Sequence, residues 1–388
     1  MEQFTYQLKT KVLFGQGKGK EYLKQEMADK GHVVLLAYGT AIKKNGVYEE
    51  VLDVLEALGK KVIDFPKIMA NPTYAKVLEG AELCKKEQVD YILAVGGGSV
   101  IDCAKIVAAA ALCETDLWKQ QFEEKKLPEE CIPMGAIVTA AGTGAEVNWG
   151  SIITNEDVMI KDDVFGGLPE FAIYDTNYML SVPKTQVLAG AFDSLSHIME
   201  IYFGTNDKDN VSCDMCLGLM RNVVRNIRST LKNLEDPVAR GNLIWDSTLA
   251  ELGILKMGRK TDFQAHMMEH QLGAYTDCSH GQGLAVIHPV YYRHILPYAI
   301  DKFADMATFV FEVPKEGKSR EELAEAALLE LTAFIKECGL PTTFRELPSK
   351  VTIDKELLRK VADSVILVKS NPKPMDTEEI YDMFLECL

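Results

Sequence analysis

Up to about residue 175 the chain alternates short β-branched apolar runs with stretches of helical period, and beyond residue 184 the runs stop. The runs are HVVLLAY at 32–38, KVIDF at 61–65, YILAV at 91–95, GAIVT at 135–139 and FAIYD at 171–175. Apolar runs of this length with helices between them indicate a parallel sheet covered on both faces. The later half of the chain is helical in pattern: TQVLAGAFDSLSHIMEIYF, DMCLGLMRNVVRNIRSTLKNL and EELAEAALLELTAFIKECG, the last ending in a glycine suited to a helix C-terminus. The expected fold class is therefore α/β plus all-α. A length of 388 residues exceeds what one core usually supports, about 250 to 300, so two domains are expected. No repeat, low-complexity tract or long linker separates them, and a ligand cleft is expected between them.

The net charge of -15 argues against nucleic acid or an anionic membrane as partner, since both call for a basic surface. No run of 18 apolar residues is present, and MEQFTYQLKT lacks a signal-peptide core, so a cytoplasmic protein is expected. Nine cysteines, an odd number scattered through regular segments, fit reduced thiols. Cys213 and Cys216 form a CxxC, but on a helical stretch with no second pair, which favours a structural role.

Three motifs carry chemistry. In YILAVGGGSVIDCAK a buried strand runs through Gly96, Gly97, Gly98 and Ser99 into a helix, a turn whose bare backbone could approach a pyrophosphate at the positive helix end. It matches neither GxGxxG nor GxxxxGK[ST]. TAAGTGAE, residues 139–146, follows the next strand, and two such loops leaving carboxyl ends of strands would face one crevice. In AFDSLSH, Asp193 and His197 are four residues apart and share a helix face, while His266 and His280 could complete a site of one carboxylate and three imidazoles. Such donors suit zinc or ferrous iron better than calcium or magnesium. An Asp–His pair at this spacing is more commonly a surface hydrogen bond. By spacing alone, His270 is as good a ligand as His266.

GGGSVIDCAK, TAAGTGAE, the AFDSLSH helix and the spaced histidines resemble the iron-containing, or group III, alcohol dehydrogenases over essentially the whole chain. EVNWGSIITNED and AYGTAIKKNG look most like the branch of butanol dehydrogenases and broad-range NADPH-dependent aldehyde reductases. The resemblance implies a dehydroquinate synthase-like fold, with a Rossmann-like dinucleotide-binding domain over 1–182 and a helical metal- and substrate-binding domain over 183–388. It implies Asp193, His197, His266 and His280 as ligands of Fe2+, with Zn2+ as the alternative, and places His270 beside nicotinamide and substrate as a proton-relay candidate. Gly96, Gly97, Gly98, Ser99 and Asp102 match the pyrophosphate loop, and Thr139, Thr143 and Asn148 the loop flanking phosphate and nicotinamide. Asn71, Lys161, Tyr178, Leu180 and Val182 fall at cofactor-contacting positions; without the family, Lys161 reads as a solvated surface charge.

Where NAD-using relatives carry an aspartate after the early strand, this chain has Gly39, followed by Thr40, Lys43 and Lys44. A glycine leaves room for a 2′-phosphate that a carboxylate would repel, which favours NADP(H), with NAD also accepted if Gly39 merely makes a turn. The implied activity is metal-dependent hydride transfer between NADP(H) and a small aldehyde, ketone or primary alcohol, in a homodimer. No serine, cysteine or paired-carboxylate constellation supports covalent catalysis. The other readings are a lyase of the dehydroquinate synthase type, whose basic substrate residues are not evident here, and a non-enzymatic nucleotide-binding protein, against which the intact ligand set argues.

Overall fold

A computed structural model describes residues 3–204 and 210–388. The chain divides into two compact units, one spanning Gln7–Pro183 and the other Lys184–Leu388 together with the N-terminal residues through Tyr6.

The first unit is built on eight strands: β1 (Lys11–Phe14), β2 (Val33–Tyr38), β3 (Lys61–Phe65), β4 (Tyr91–Gly96), β5 (Met134–Val138), β6 (Gly150–Asn155), β7 (Ile160–Phe165) and β8 (Phe171–Tyr174). Six of them form a sheet in the order β1-β8-β5-β4-β2-β3, parallel throughout. Helices α1 (Gly19–Met27), α2 (Val47–Ala57), α3 (Tyr74–Glu87), α4 (Gly98–Ala110) and α5 (Leu117–Phe122) supply crossovers. All five strands read from the sequence are present, because a strand covered on both faces has no polar alternation to obscure it. β3 lies on one side of β2 and β4 on the other, so the winding reverses between β2 and β4. In open parallel sheets, ligands bind outside the carboxyl ends of strands at such a reversal. Gly39 follows β2 there, and Gly96 ends β4.

The antiparallel hairpin β6–β7 was not predicted. Its second strand, IKDDVF, carries three charged residues and so shows no apolar run.

The second unit consists of α6 (Lys184–Phe203), α7 (Val211–Lys232), α8 (Pro237–Glu251), α9 (Gln264–Thr276), α10 (His280–Ile295), α11 (Ile300–Phe309), α12 (Arg320–Glu337), α13 (Lys355–Ser364) and α14 (Thr377–Glu386), with short 3-10 turns between some of them. Among its described residues there is no strand. α12 opens with a capping box, Ser319 with Glu322, and ends before Gly339 at φ +67°, a left-handed position glycine takes without strain. α6 is buried along almost its whole second half, and α7, α8 and α10 pack around it.

Candidate metal centre and nucleotide loops

Helix α6 carries Asp193 and His197 one turn apart, and α10 brings His280 against them. The two helices can approach because of Gly281: a Cβ there would stand 2.1 Å from the carbonyl oxygen of Ala189. His280, the first residue of α10, then lies with Nε2 3.4 Å from Asp193 Oδ1. His266, in the first turn of α9, places Nε2 3.6 Å from the same oxygen, and His197 places Nδ1 3.7 Å from it. These separations match the edge of a tetrahedron with bonds of about 2.1 Å, roughly 3.4 Å. The ligand atoms of Asp193, His266 and His280 all lie within 4.8 Å of one another. His197 sits beside them, its ring centroid 4.4 Å from that of His266, but does not join that mutually close set.

Asp193 Oδ1, His197 Nδ1 and His266 Nε2 are buried without a hydrogen-bond partner. Leaving one such atom unpaired costs about 1 to 3 kcal/mol, so three converging on one point need a common partner. A divalent cation fits them. Burial by itself would raise the Asp193 carboxyl, but His197 and His280 hold it well below the usual carboxylate range, leaving it ionised.

Behind these atoms stand two glutamates that sequence reading missed. Glu200 accepts a hydrogen bond from His266 Nδ1 and Glu269 accepts one from His280 Nδ1, and both carboxylates are fully buried. Each ring is thereby held with Nε2 towards Asp193. Burial opposes ionisation of Glu200, yet the adjacent His266 keeps its pKa below the ordinary value. The signal was available: Asp193, His197 and Glu200 stand at i, i+4 and i+7 on one helix, and Glu269 is three residues after His266. Gly283 leaves space for Glu269, whose Cγ would lie 2.8 Å from any Cβ added there. His270, one turn after His266, is buried on the same wall, its ring 5.4 Å from that of His280.

At the carboxyl ends of β4 and β5 the two glycine loops meet. The three glycines expected to leave room for a pyrophosphate also have close packing neighbours. A Cβ on Gly96 would lie 2.5 Å from Val100, one on Gly97 3.2 Å from Ala140, and one on Gly98 2.0 Å from the Thr143 hydroxyl. Gly97 and Gly98 therefore let the second loop lie directly on the first. Gly39 is close by, its Cβ position 3.7 Å from Val100. Gly39, Gly96 to Ser99, Thr139 and Thr143 are thus brought together around the β2–β4 reversal.

Other predicted cofactor residues have their side chains engaged elsewhere. Asp102 is buried, accepts a hydrogen bond from the Ile152 amide at 3.4 Å, and has its pKa pushed up by burial to about 7 against the pull of Lys105. The Asn148 side chain donates to Thr143 O and accepts from Lys105. Tyr178 belongs to the core cluster that includes Leu23, Met27 and Val47, and its hydroxyl bonds Glu50. Lys161 is only 2% exposed, which overturns its reading as a solvated charge. Asn71 adopts a left-handed conformation, φ +50°, just ahead of α3. Thr40 is exposed at the β2 end, and Leu180 and Val182 are half-buried after the 3-10 turn Thr176–Met179.

The sequence pattern of the family described as iron-containing alcohol dehydrogenase matches residues 9–176, and that of the Fe-containing alcohol dehydrogenase family, C-terminal, matches residues 187–388. The chain belongs to the iron-containing alcohol dehydrogenase family. It is similar to the probable NADH-dependent butanol dehydrogenase 1 of Bacillus subtilis, 35% identical over 94% of each chain. It is 30% identical to the NADPH-dependent aldehyde reductase YqhD of Escherichia coli, over 88% of each. Among solved structures it resembles NADH-dependent butanol dehydrogenase A of Thermotoga maritima, with a TM-score of 0.91 and 32% identity over 100% of this chain and 99% of that one. Like other members of the iron-containing alcohol dehydrogenase family, the protein is a metal-dependent oxidoreductase of the alcohol dehydrogenase and aldehyde reductase type that uses a nicotinamide cofactor.

Proposed function

We propose that the protein is an NADP(H)-dependent reductase of small aldehydes and ketones, working in reverse on primary alcohols. In this reading the unit Gln7–Pro183 binds the dinucleotide, and the helical unit holds a ferrous ion, with zinc as the alternative, and the substrate. The observation that carries it is the set of unpartnered buried ligand atoms on Asp193, His197 and His266, which His280 Nε2 also approaches. When bound, the metal supplies Lewis acidity to the substrate oxygen and the nicotinamide supplies the hydride. The chain's own residues do the rest. Asp193, His197, His266 and His280 hold the ion, Glu200 and Glu269 orient two of the imidazoles, and the buried helices exclude bulk water. His270, on the same wall, relays the proton that the reduced oxygen takes up. Incubating the protein with NADPH, ferrous or zinc salt and a panel of short aldehydes is expected to consume the nicotinamide absorbance; no turnover with any of them would sink the assignment. His270→Ala is expected to keep its metal while losing turnover, and loss of metal would make His270 a ligand instead.

The nucleotide preference rests on Gly39. No carboxylate occupies that position to repel a 2′-phosphate, and Lys43 stands close by, its ammonium 4.1 Å above the Tyr48 ring. An aspartate at 39 fits with a small adjustment, since its Cβ would lie 3.3 Å from Ile68 O. Gly39→Asp is therefore expected to lower the ratio of kcat/KM for NADPH to that for NADH by tenfold or more, the scale of about 1.4 kcal/mol per decade for a like-charge contact. An unchanged ratio refutes the argument.

We further propose a cytoplasmic homodimer. The nine cysteines are an odd number scattered through regular segments, which fits reduced thiols, and Phe4, Tyr6 and Leu8 expose alternate apolar side chains near the N-terminus. Light scattering that returns the monomer mass of 43.1 kDa would rule the dimer out.

A further inference from the structure

Glu200 lies on α6 three residues beyond His197, and its two oxygens face different groups. Oε1 accepts the main-chain N–H of Ala265 at 2.8 Å and that of His266 at 3.3 Å. These amides belong to the first turn of α9, where a helix offers them no partner of its own. Oε2 faces His266 Nδ1, and an ionised carboxylate can only accept, so the ring nitrogen carries the proton. On the far side His288 Nε2 stands 3.9 Å from Oε2 and is hydrogen-bonded to Ser196 Oγ at 2.5 Å. The glutamate is enclosed on every side by groups that fix its orientation.

We propose that Glu200 is a positioning residue that locks His266 in the Nδ1–H tautomer, so that Nε2 presents its lone pair beside Asp193. This rests on the reading of Asp193, His266 and His280 as metal ligands. The two amides at Oε1 make it specific. A carboxylate has two equivalent acceptors and serves the amides with one and the ring with the other. A glutamine of the same shape has one. Its carbonyl oxygen is claimed by the two N–H groups, and its NH2 is left facing Nδ1. The ring must then accept at Nδ1 and carry its proton on Nε2, the atom 3.6 Å from Asp193 Oδ1. In that tautomer Nε2 has no lone pair for a metal. The near-isosteric change thus inverts the imidazole, where an ordinary lost contact would only loosen it.

The test titrates zinc and cobalt(II) into metal-stripped wild-type protein, Glu200→Gln and Asp193→Asn against a competing chelator, and reads the histidine nitrogens by long-range proton–nitrogen NMR. E200Q is expected to bind zinc about 10- to 100-fold more weakly, the range for partners of metal-bound histidines, with His266 protonated at Nε2. The zinc-loaded wild type is expected to show the His266 proton on Nδ1. Wild-type affinity in E200Q overturns the proposal, and so does weaker binding with the Nδ1–H tautomer retained, because loss of charge alone would then account for it. If E200Q fails to fold, the wild-type spectrum decides, and an unprotonated Nδ1 there overturns the proposal. D193N separates the two levels: if it too binds zinc as tightly as wild type, the ligand reading fails, whereas if it alone loses zinc, only the role of Glu200 fails.

Discussion

Replacing His280 with alanine is expected to strip the metal from the protein and to lower kcat/KM for aldehyde reduction by about a thousandfold or more. Lewis-acid stabilisation supplies several kcal/mol, and each 1.4 kcal/mol is roughly a factor of ten in rate. His280 does two things that alanine cannot. Its Nε2 faces Asp193 Oδ1 at 3.4 Å, and its Nδ1 satisfies the buried carboxylate of Glu269. The variant therefore loses a ligand and a buried hydrogen bond, so the protein should also unfold at lower temperature, and added metal should restore little of the difference. Metal content by elemental analysis, taken with the rate, checks the expectation. A variant that keeps full metal would show that His280 is not a ligand.

Lys105→Met is expected to lower Tm by about 5 to 10 °C and to raise KM for the nucleotide while leaving metal content unchanged. Lys105 is completely buried on α4, and its ammonium donates to Ala145 O at 3.0 Å, Asn148 O at 2.9 Å, Asn148 Oδ1 at 3.0 Å and Gly150 O at 2.6 Å. These acceptors lie from the end of TAAGTGAE to the start of β6, so one ammonium holds that segment to the helix that begins at GGGS. Methionine fills the volume but leaves the oxygens without a donor, at about 3 to 5 kcal/mol in all. Asp102, 3.9 Å from the ammonium and already raised to about 7 by burial, would turn neutral and so limit the cost. At roughly 2 °C per kcal/mol, the end of the range that suits a large domain, this gives a fall of about 6 to 10 °C, in line with the expected Tm. Nucleotide affinity by fluorescence quenching and Tm by calorimetry check the two halves, and a wild-type Tm would contradict the role given to Lys105.

Much of the architecture could be read in the residues. The five apolar runs became β2, β3, β4, β5 and β8 within a residue or so of their expected ends, and α6, α7 and α12 fall where the helical period put them. β1 and the hairpin β6–β7 were not read: KVLF is short and half-exposed at a sheet edge, and IKDDVF is broken by charge. At the site, the shared helix face of Asp193 and His197 was a local fact, available from spacing. The three glycines were read as room for a phosphate, and the packing they also permit, Ala140 against Gly97 and Thr143 against Gly98, was not visible in the local pattern.

Period and spacing follow from the backbone of one segment, so the sequence by itself determined the order of elements, the parallel sheet, the helical half and which side chains share a face. The tertiary structure alone decided that His266 groups with Asp193 and His280 while His270 groups with Glu269 and His280, that Glu200 and Glu269 stand behind the imidazoles, and that Lys105 on α4 is buried against residues 145–150. Those outcomes depend on how closely α6 and α10 approach at Gly281 and on how one loop lies on another. Such distances are sums of many weak packing contacts between segments far apart in the chain, and no local pattern encodes them.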